Sequence, residues 1–151
     1  MKVVVQSDDF DSSIETHALS ASSKGIGGIV SFTGFVRNIN QDDPVSSLFL
    51  EHYPGMTEQQ IKEIVTEAIK RWEVVAATVI HRIGELYPGD QIVFVAVASP
   101  HRGDAFAASE YIIDFLKTKA TFWKREKVGT ASRWLDSRQS DFDAAARWDI
   151  K

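Results

Sequence analysis

The chain has 151 residues, with 17 Lys+Arg against 21 Asp+Glu for a formal net charge of −4, and it contains no cysteine. The missing thiol excludes a disulfide framework, a cysteine nucleophile, Cys-ligated zinc or iron–sulfur sites, and a persulfide carried on the protein itself. Apolar content of 44% and charged content of 25% fit one globular domain, residues 1–151, with a core of its own.

The opening segment, Val3-Val4-Val5 before polar Gln6 to Asp9, reads as a short strand and not as a secretion signal. Asp11 to Ser20 reads as a weak helix capped by Asp11 or Ser12. Gly25-Ile26-Gly27-Gly28 precedes a strand, whereas phosphate-cradling glycines lie between a strand and a helix, so these read as a flexible lead-in. Gly28 to Val36 is rich in β-branched and aromatic residues and predicts a strand. Asn38 to Ser47 is a polar connection expected to be mobile, and Ser47 to Tyr53 resumes a strand that Pro54-Gly55 ends.

Thr57-Glu58-Gln59-Gln60 has the spacing of a capping box. Ile61, Ile64, Val65, Ala68, Ile69 and Trp72 follow at helical intervals and predict one buried face. Ala76 to Ile83 and Gln91 to Ser99 flank the turn Tyr87-Pro88-Gly89-Asp90 and predict an antiparallel pair. A second long helix is expected from about Gly103 to Ala120. A hairpin around Gly129 should follow, then a short helix capped by Ser140 and reaching Trp148. This order predicts an α+β fold with antiparallel sheet. The longest apolar run, Ile92 to Ala98, has seven residues, far short of the ~20 that cross a bilayer, so a cytoplasmic protein without membrane attachment is expected.

Charge is unevenly placed. Residues 1–75 hold 6 basic and 11 acidic side chains, while residues 76–151 hold 11 and 10. Lys117, Lys119, Lys124, Arg125 and Lys127 crowd together, opposed only by Glu126. An acidic chain with one basic island suits a small anion or an acidic partner better than nucleic acid. The histidines, His17, His52, His81 and His101, lack metal-ligand spacing, so no metal is expected. His81 alternates in phase with Val79 and Ile83, which favours a structural role over a catalytic one. No GxSxG elbow surrounds Ser31 or Ser99.

Ser99-Pro100-His101-Arg102 falls where a strand gives way to a helix, so free backbone N–H groups could join His101 and Arg102 in an anion site. The alternative is that Ser99 or Asp104 simply caps the helix. Lys117 to Glu126 combines lysines with Phe122 and Trp123. A lysine pressed against aromatics and near another cation is driven toward its neutral form, which suits general-base or nucleophilic work. A basic helix end that complements the macrodipole has the same spacing.

Five segments in register, Gly28–Arg37, Leu50–Met56, His81–Asp90, Ser99–Arg102 and Lys117–Glu126, together resemble the large, catalytic subunit of molybdopterin synthase. The likeness runs from about Lys2 to Trp148. It departs at Gly28, where alanine is common, and at Thr121, where proline is common and whose replacement would loosen the turn. The resemblance implies an α/β hammerhead fold with antiparallel sheet and a sulfurtransferase without a cofactor. Such an enzyme converts cyclic pyranopterin monophosphate (precursor Z) to molybdopterin, with both sulfurs arriving as a C-terminal Gly-Gly thiocarboxylate on a small ubiquitin-like subunit. It also implies a heterotetramer built on a central homodimer.

By that likeness Lys117 and Lys124 are the catalytic pair, and Arg37, His101 and Arg102 form the substrate-anion pocket. Arg138 would reach the neighbouring subunit's pocket. Phe32 and Phe35 could flank the pterin or be core; they fall on opposite strand faces, so core is expected for at least one of them. A non-catalytic module binding the same Gly-Gly tail is the alternative function.

Overall fold

The computed structural model describes residues 1–149. In chain order the elements are β1 (Lys2–Gln6), α1 (Ser12–Ser20), β2 (Gly28–Phe35), β3 (Ile39–Asn40), β4 (Asp43–Pro44), β5 (Ser47–His52), α2 (Met56–Arg71), β6 (Ala76–Arg82), β7 (Gly84–Leu86), β8 (Gln91–Ser99), α3 (Arg102–Leu116), β9 (Phe122–Val128), β10 (Ala131–Leu135) and α4 (Gln139–Ala146). A 3-10 turn, Arg147–Asp149, follows α4. None of the described helices is long and apolar enough to cross a membrane.

Two four-stranded sheets carry the fold, in the orders β1-β6-β8-β2 and β10-β9-β5-β7. Every pairing is antiparallel except β1 with β6, which is parallel. That exception is permitted by the long intervening path through α1, β2 to β5 and α2, which returns the chain in the same direction. The Pro88-Gly89 turn joins the sheets: β6 and β8 pair in the first, while β7 between them crosses to pair with β5 in the second. Gly89 takes φ +92°, a left-handed conformation that glycine adopts at little cost.

Strand alternation separates two cores. One face of β6 and β8 sends Ala77, Val79, Val95 and Val97 against Ile61, Ile64, Val65 and Ala68 of α2 and against Ala108, Tyr111, Ile112 and Phe115 of α3. The other face packs Ile80, Phe94, Ala96 and Ala98 under Leu19 of α1. Each large aliphatic side chain so buried contributes about 1.5–3 kcal/mol. The helical spacing of α2 correctly marks its buried stripe, except that Ile69 remains partly exposed. Trp72 closes that stripe edge-on to Tyr111 and Trp148, and Trp148 Nε1 donates to Asp114 (2.6 Å), fastening the end of the described chain to α3.

The second sheet packs Val36, Leu48, Leu50 and Leu86 into a smaller core. Gly27 shows why its position tolerates no side chain: a Cβ there would lie 2.0 Å from the Pro100 carbonyl oxygen. The glycine-rich segment therefore serves the close approach of two backbone runs.

Four local expectations change. Residues 38–47 are not featureless, because β3 and β4 form a tight hairpin with Gln41 and Asp42 both at positive φ (52° and 66°), the arrangement of a type I′ turn. Helix α2 begins earlier than the Thr57 cap predicts. Gly55 is its N-cap, and the Glu58 carboxylate accepts from the Gly55 N–H (3.0 Å). α3 ends at Leu116, four residues short of the expected Ala120. The α4 cap is likewise Arg138, whose N–H donates to Asp141 (2.9 Å), not Ser140.

Candidate functional site

A cleft of about 620 Å³ opens where the end of β2, the β3–β4 hairpin, the C-terminal end of α3, strands β9 and β10 and the start of α4 meet. Arg37, Lys117, Lys124 and Arg138 all line it. Lys117 is the C-cap of α3, where the negative end of the helix dipole favours a cation. The Ser137 hydroxyl donates to the Lys117 carbonyl (2.5 Å), tying that helix end to the segment before α4.

Lys124 stands on β9, with Glu126 two residues on and facing the same way. Burial, then the nearby Lys117 charge, lowers Lys124 to about 8, partly offset by Asp141. The desolvation expected for a lysine of this segment falls on Lys124, while Lys117 takes the helix-end position.

His81 is buried and stacked on Phe122 (3.9 Å, 19° between planes). Burial drives it to about 3, with Lys124, Lys117 and His52 pushing the same way against the Arg82 carbonyl bond. A carbonyl only accepts, so the Nδ1 that meets Arg82 O at 2.8 Å carries the proton of a neutral ring. It forms part of the packed wall behind the lysines.

The arginines are organised by residues that sequence reasoning does not single out. Buried Glu126 accepts from Arg133 Nε (2.9 Å) on the adjacent strand and from Asn40 Nδ2 (2.8 Å) on the hairpin. Arg133 also donates to the Asn40 carbonyl (3.1 Å) and to Asp43 (2.9 Å), gripping both ends of the strained turn. Because the Asn40 amide nitrogen faces a carboxylate, its side-chain oxygen faces the cleft. There it accepts from Arg138 and approaches Arg37 at 3.5 Å. The only available signal was Glu126 as the lone acid in a basic run. Its partners lie 86 and 7 residues away, a separation that no local pattern reports.

Within one chain the expected site residues fall into two groups, and the core expectation for Phe32 or Phe35 needs correction. His101 and Arg102 do not join Arg37 within one chain: they sit at the N-terminal end of α3, whose 15 residues put about 22 Å between them and Lys117. His101 is exposed and meets Glu73 (3.1 Å), Ser99 Oγ accepts from the His101 N–H (3.1 Å), and Asp104 accepts from the Glu73 N–H (3.1 Å). Arg138 lines the cleft of its own chain, held there by Asn40. Neither Phe32 nor Phe35 is core. They are 39% and 53% exposed, and of the two only Phe35 lines the cleft, because β2 is an edge strand with an irregularity at Gly34/Phe35.

Fold and site together define an α+β protein with a cleft lined by two lysines and two arginines, Lys117, Lys124, Arg37 and Arg138. Residues 5–119 match the family described as MoaE protein. The molybdopterin synthase catalytic subunit of Ralstonia nicotianae is 53% identical over 97% of this chain and 83% of its own length, and that of Escherichia coli K12 is 58% identical over 81% of each. Among solved structures, the molybdopterin biosynthesis MoaE protein from Burkholderia ambifaria superposes with a TM-score of 0.85 at 44% identity, covering 100% of both chains. The chain belongs to the MoaE protein family.

Proposed function

We propose that this chain is the catalytic subunit of a molybdopterin synthase, a sulfur-transferring enzyme of molybdenum cofactor biosynthesis. It takes one sulfur from the C-terminal thiocarboxylate of each of two small ubiquitin-like subunits, leaving each tail as a carboxylate, and installs both on cyclic pyranopterin monophosphate. The observation that carries this reading is the pairing of Lys117 with a half-buried Lys124 in a cleft that also holds two arginines.

Guanidinium groups suit a phosphate through paired donors, so Arg37 and Arg138 bind the cyclic phosphate, exchanging the Asn40 oxygen for substrate oxygens. A lysine at about 8 is neutral in roughly a tenth of molecules at pH 7 and charged in the rest, so it can both take and return a proton during turnover. Lys124 moves protons as the phosphate ring opens and water is lost. Lys117, at the mouth of α3, polarises the thiocarboxylate carbonyl and stabilises the oxyanion that develops there. With no cysteine in the chain, sulfur passes from the partner's tail to the substrate without resting on this subunit.

His101 and Arg102 fit the same scheme if a second copy supplies them, in a heterotetramer with a central homodimer of this chain. Residues 1–151 act as one catalytic-subunit domain, in the cytoplasm. Single-turnover product analysis of Lys117→Ala tests the role of the lysine pair: the variant should bind the partner yet form dithiolene at least about 100-fold more slowly. A wild-type rate would remove Lys117 from the chemistry.

A further inference from the structure

We infer that Thr57 and Gln60, on the first turn of α2, are positioning residues that set the placement of Lys117 relative to Lys124 by clamping the backbone of Thr121 between them. This deepens the proposed function and rests on it for the consequence in catalysis, though not for the clamp itself.

Five residues, 117–121, connect the end of α3 to the start of β9. Lys117 is the first of them, and Lys124 is the third residue of β9, three beyond the last. The connection is anchored at both ends. At its start, Ser137 holds the Lys117 carbonyl. At its end, Thr57 Oγ1 donates to the Thr121 carbonyl (2.8 Å), and Gln60 Oε1 accepts from the Thr121 N–H (2.8 Å). Both backbone groups of a single residue are thus tied to one helical turn more than 60 positions earlier in the chain.

The chemistry of the hydroxyl makes the clamp directional. Thr57 Oγ1 accepts from the Tyr53 N–H (3.0 Å), and the one proton it owns is committed to Thr121. Its side chain is fully buried, at 0% exposure, so no water replaces either bond cheaply. α2 is itself fixed by Ile61, Ile64 and Val65 in the main core. Position is thereby passed from the core through α2 to the turn between the lysines. The tie matters because two like charges in a half-buried cleft repel, and an unanchored five-residue connection would relax by letting them part. Thr57 and Gln60 hydrogen-bond to neither lysine and act through Thr121.

The test uses the full chain as Thr57→Val, Gln60→Met and Thr57→Ser, with two readouts: the titration of Lys124 followed by NMR of labelled lysine side chains, and single-turnover dithiolene formation with thiocarboxylated partner. In Thr57→Val and Gln60→Met the Lys124 midpoint should move up from about 8 toward the ordinary 10.5, and turnover should fall by roughly tenfold or more. Thr57→Ser, which keeps the hydroxyl, should retain the wild-type midpoint and most of the rate. An unchanged midpoint in Gln60→Met would overturn the inference, as would a Thr57→Ser variant as impaired as Thr57→Val. Should Thr57→Val fail to fold, Gln60→Met decides, since that side chain is only partly buried. A moved midpoint with an unchanged rate would support the clamp and contradict the catalytic reading of the lysines.

Discussion

Replacing Lys124 by methionine should stabilise the protein at neutral pH while abolishing its chemistry. Bringing the ammonium from 10.5 down to about 8 corresponds to about 3.4 kcal/mol of penalty on the charged form, at 1.36 kcal/mol per tenfold. Lys124 keeps some contact with solvent, so screening and relaxation reduce the recoverable part to roughly 1–2 kcal/mol. The sign follows from proton counting. Between about 8 and 10.5 the unfolded chain binds a proton that the native chain does not, so native stability rises with pH through that window and the full penalty is present below it. Methionine has a similar length and no charge, and so it removes the penalty. Paired thermal melts at pH 7 and pH 10.5 should show Lys124→Met more stable than wild type at pH 7, by about 2–8 °C in thermal midpoint, with much of the gain gone at pH 10.5. An equal gain at both pH values would mean that added apolar packing, not relief of a strained charge, explains it. No gain at pH 7 would refute the account of Lys124.

Asn40→Ala removes the oxygen shared by Arg37 and Arg138 together with one partner of buried Glu126. It should raise KM for the pterin substrate several-fold and destabilise the fold by about 1–3 kcal/mol, read by steady-state kinetics and denaturant melts. Gly27→Ala places a methyl 2.0 Å from the Pro100 carbonyl. It should cost about 2–4 kcal/mol in a thermal or denaturant melt, and a near-neutral result would contradict the close approach of those segments.

Much of the fold is legible because local periodicity and tertiary burial agree. The α2 stripe from Ile61 to Ala68, the β8 run and the Gly129 hairpin each carry their pattern on their own residues. The misreadings arise where one residue type serves two purposes. A threonine and a glutamine three apart spell a capping box, but the same side chains reach across to Thr121 once Glu58 takes over the Gly55 N–H. The same two bonds answer the expectation that Thr121 would loosen its turn, because they hold both of its backbone groups. The hairpin at 39–44 is set by Arg133 and Glu126 far along the chain, and a polar string gives no sign of that.

At the site, the lysines were legible as a crowded basic run beside aromatics, and the structure places Arg37 and Arg138 with them. His101 and Arg102 were grouped with Arg37 by the family likeness, which carries no statement of how far apart they lie in one chain. The length of α3 separates them from Lys117 within one chain.

The central claim is that this chain transfers sulfur it never holds. The direct measurement is to incubate the purified protein with cyclic pyranopterin monophosphate and a ubiquitin-like subunit bearing a C-terminal thiocarboxylate, and to assay the pterin for sulfur by mass spectrometry. The account predicts a product carrying two sulfurs, with two partner tails returned as carboxylates and no sulfur bound to this chain. Partner binding without any sulfurated pterin would contradict it and leave a non-catalytic binding module in its place.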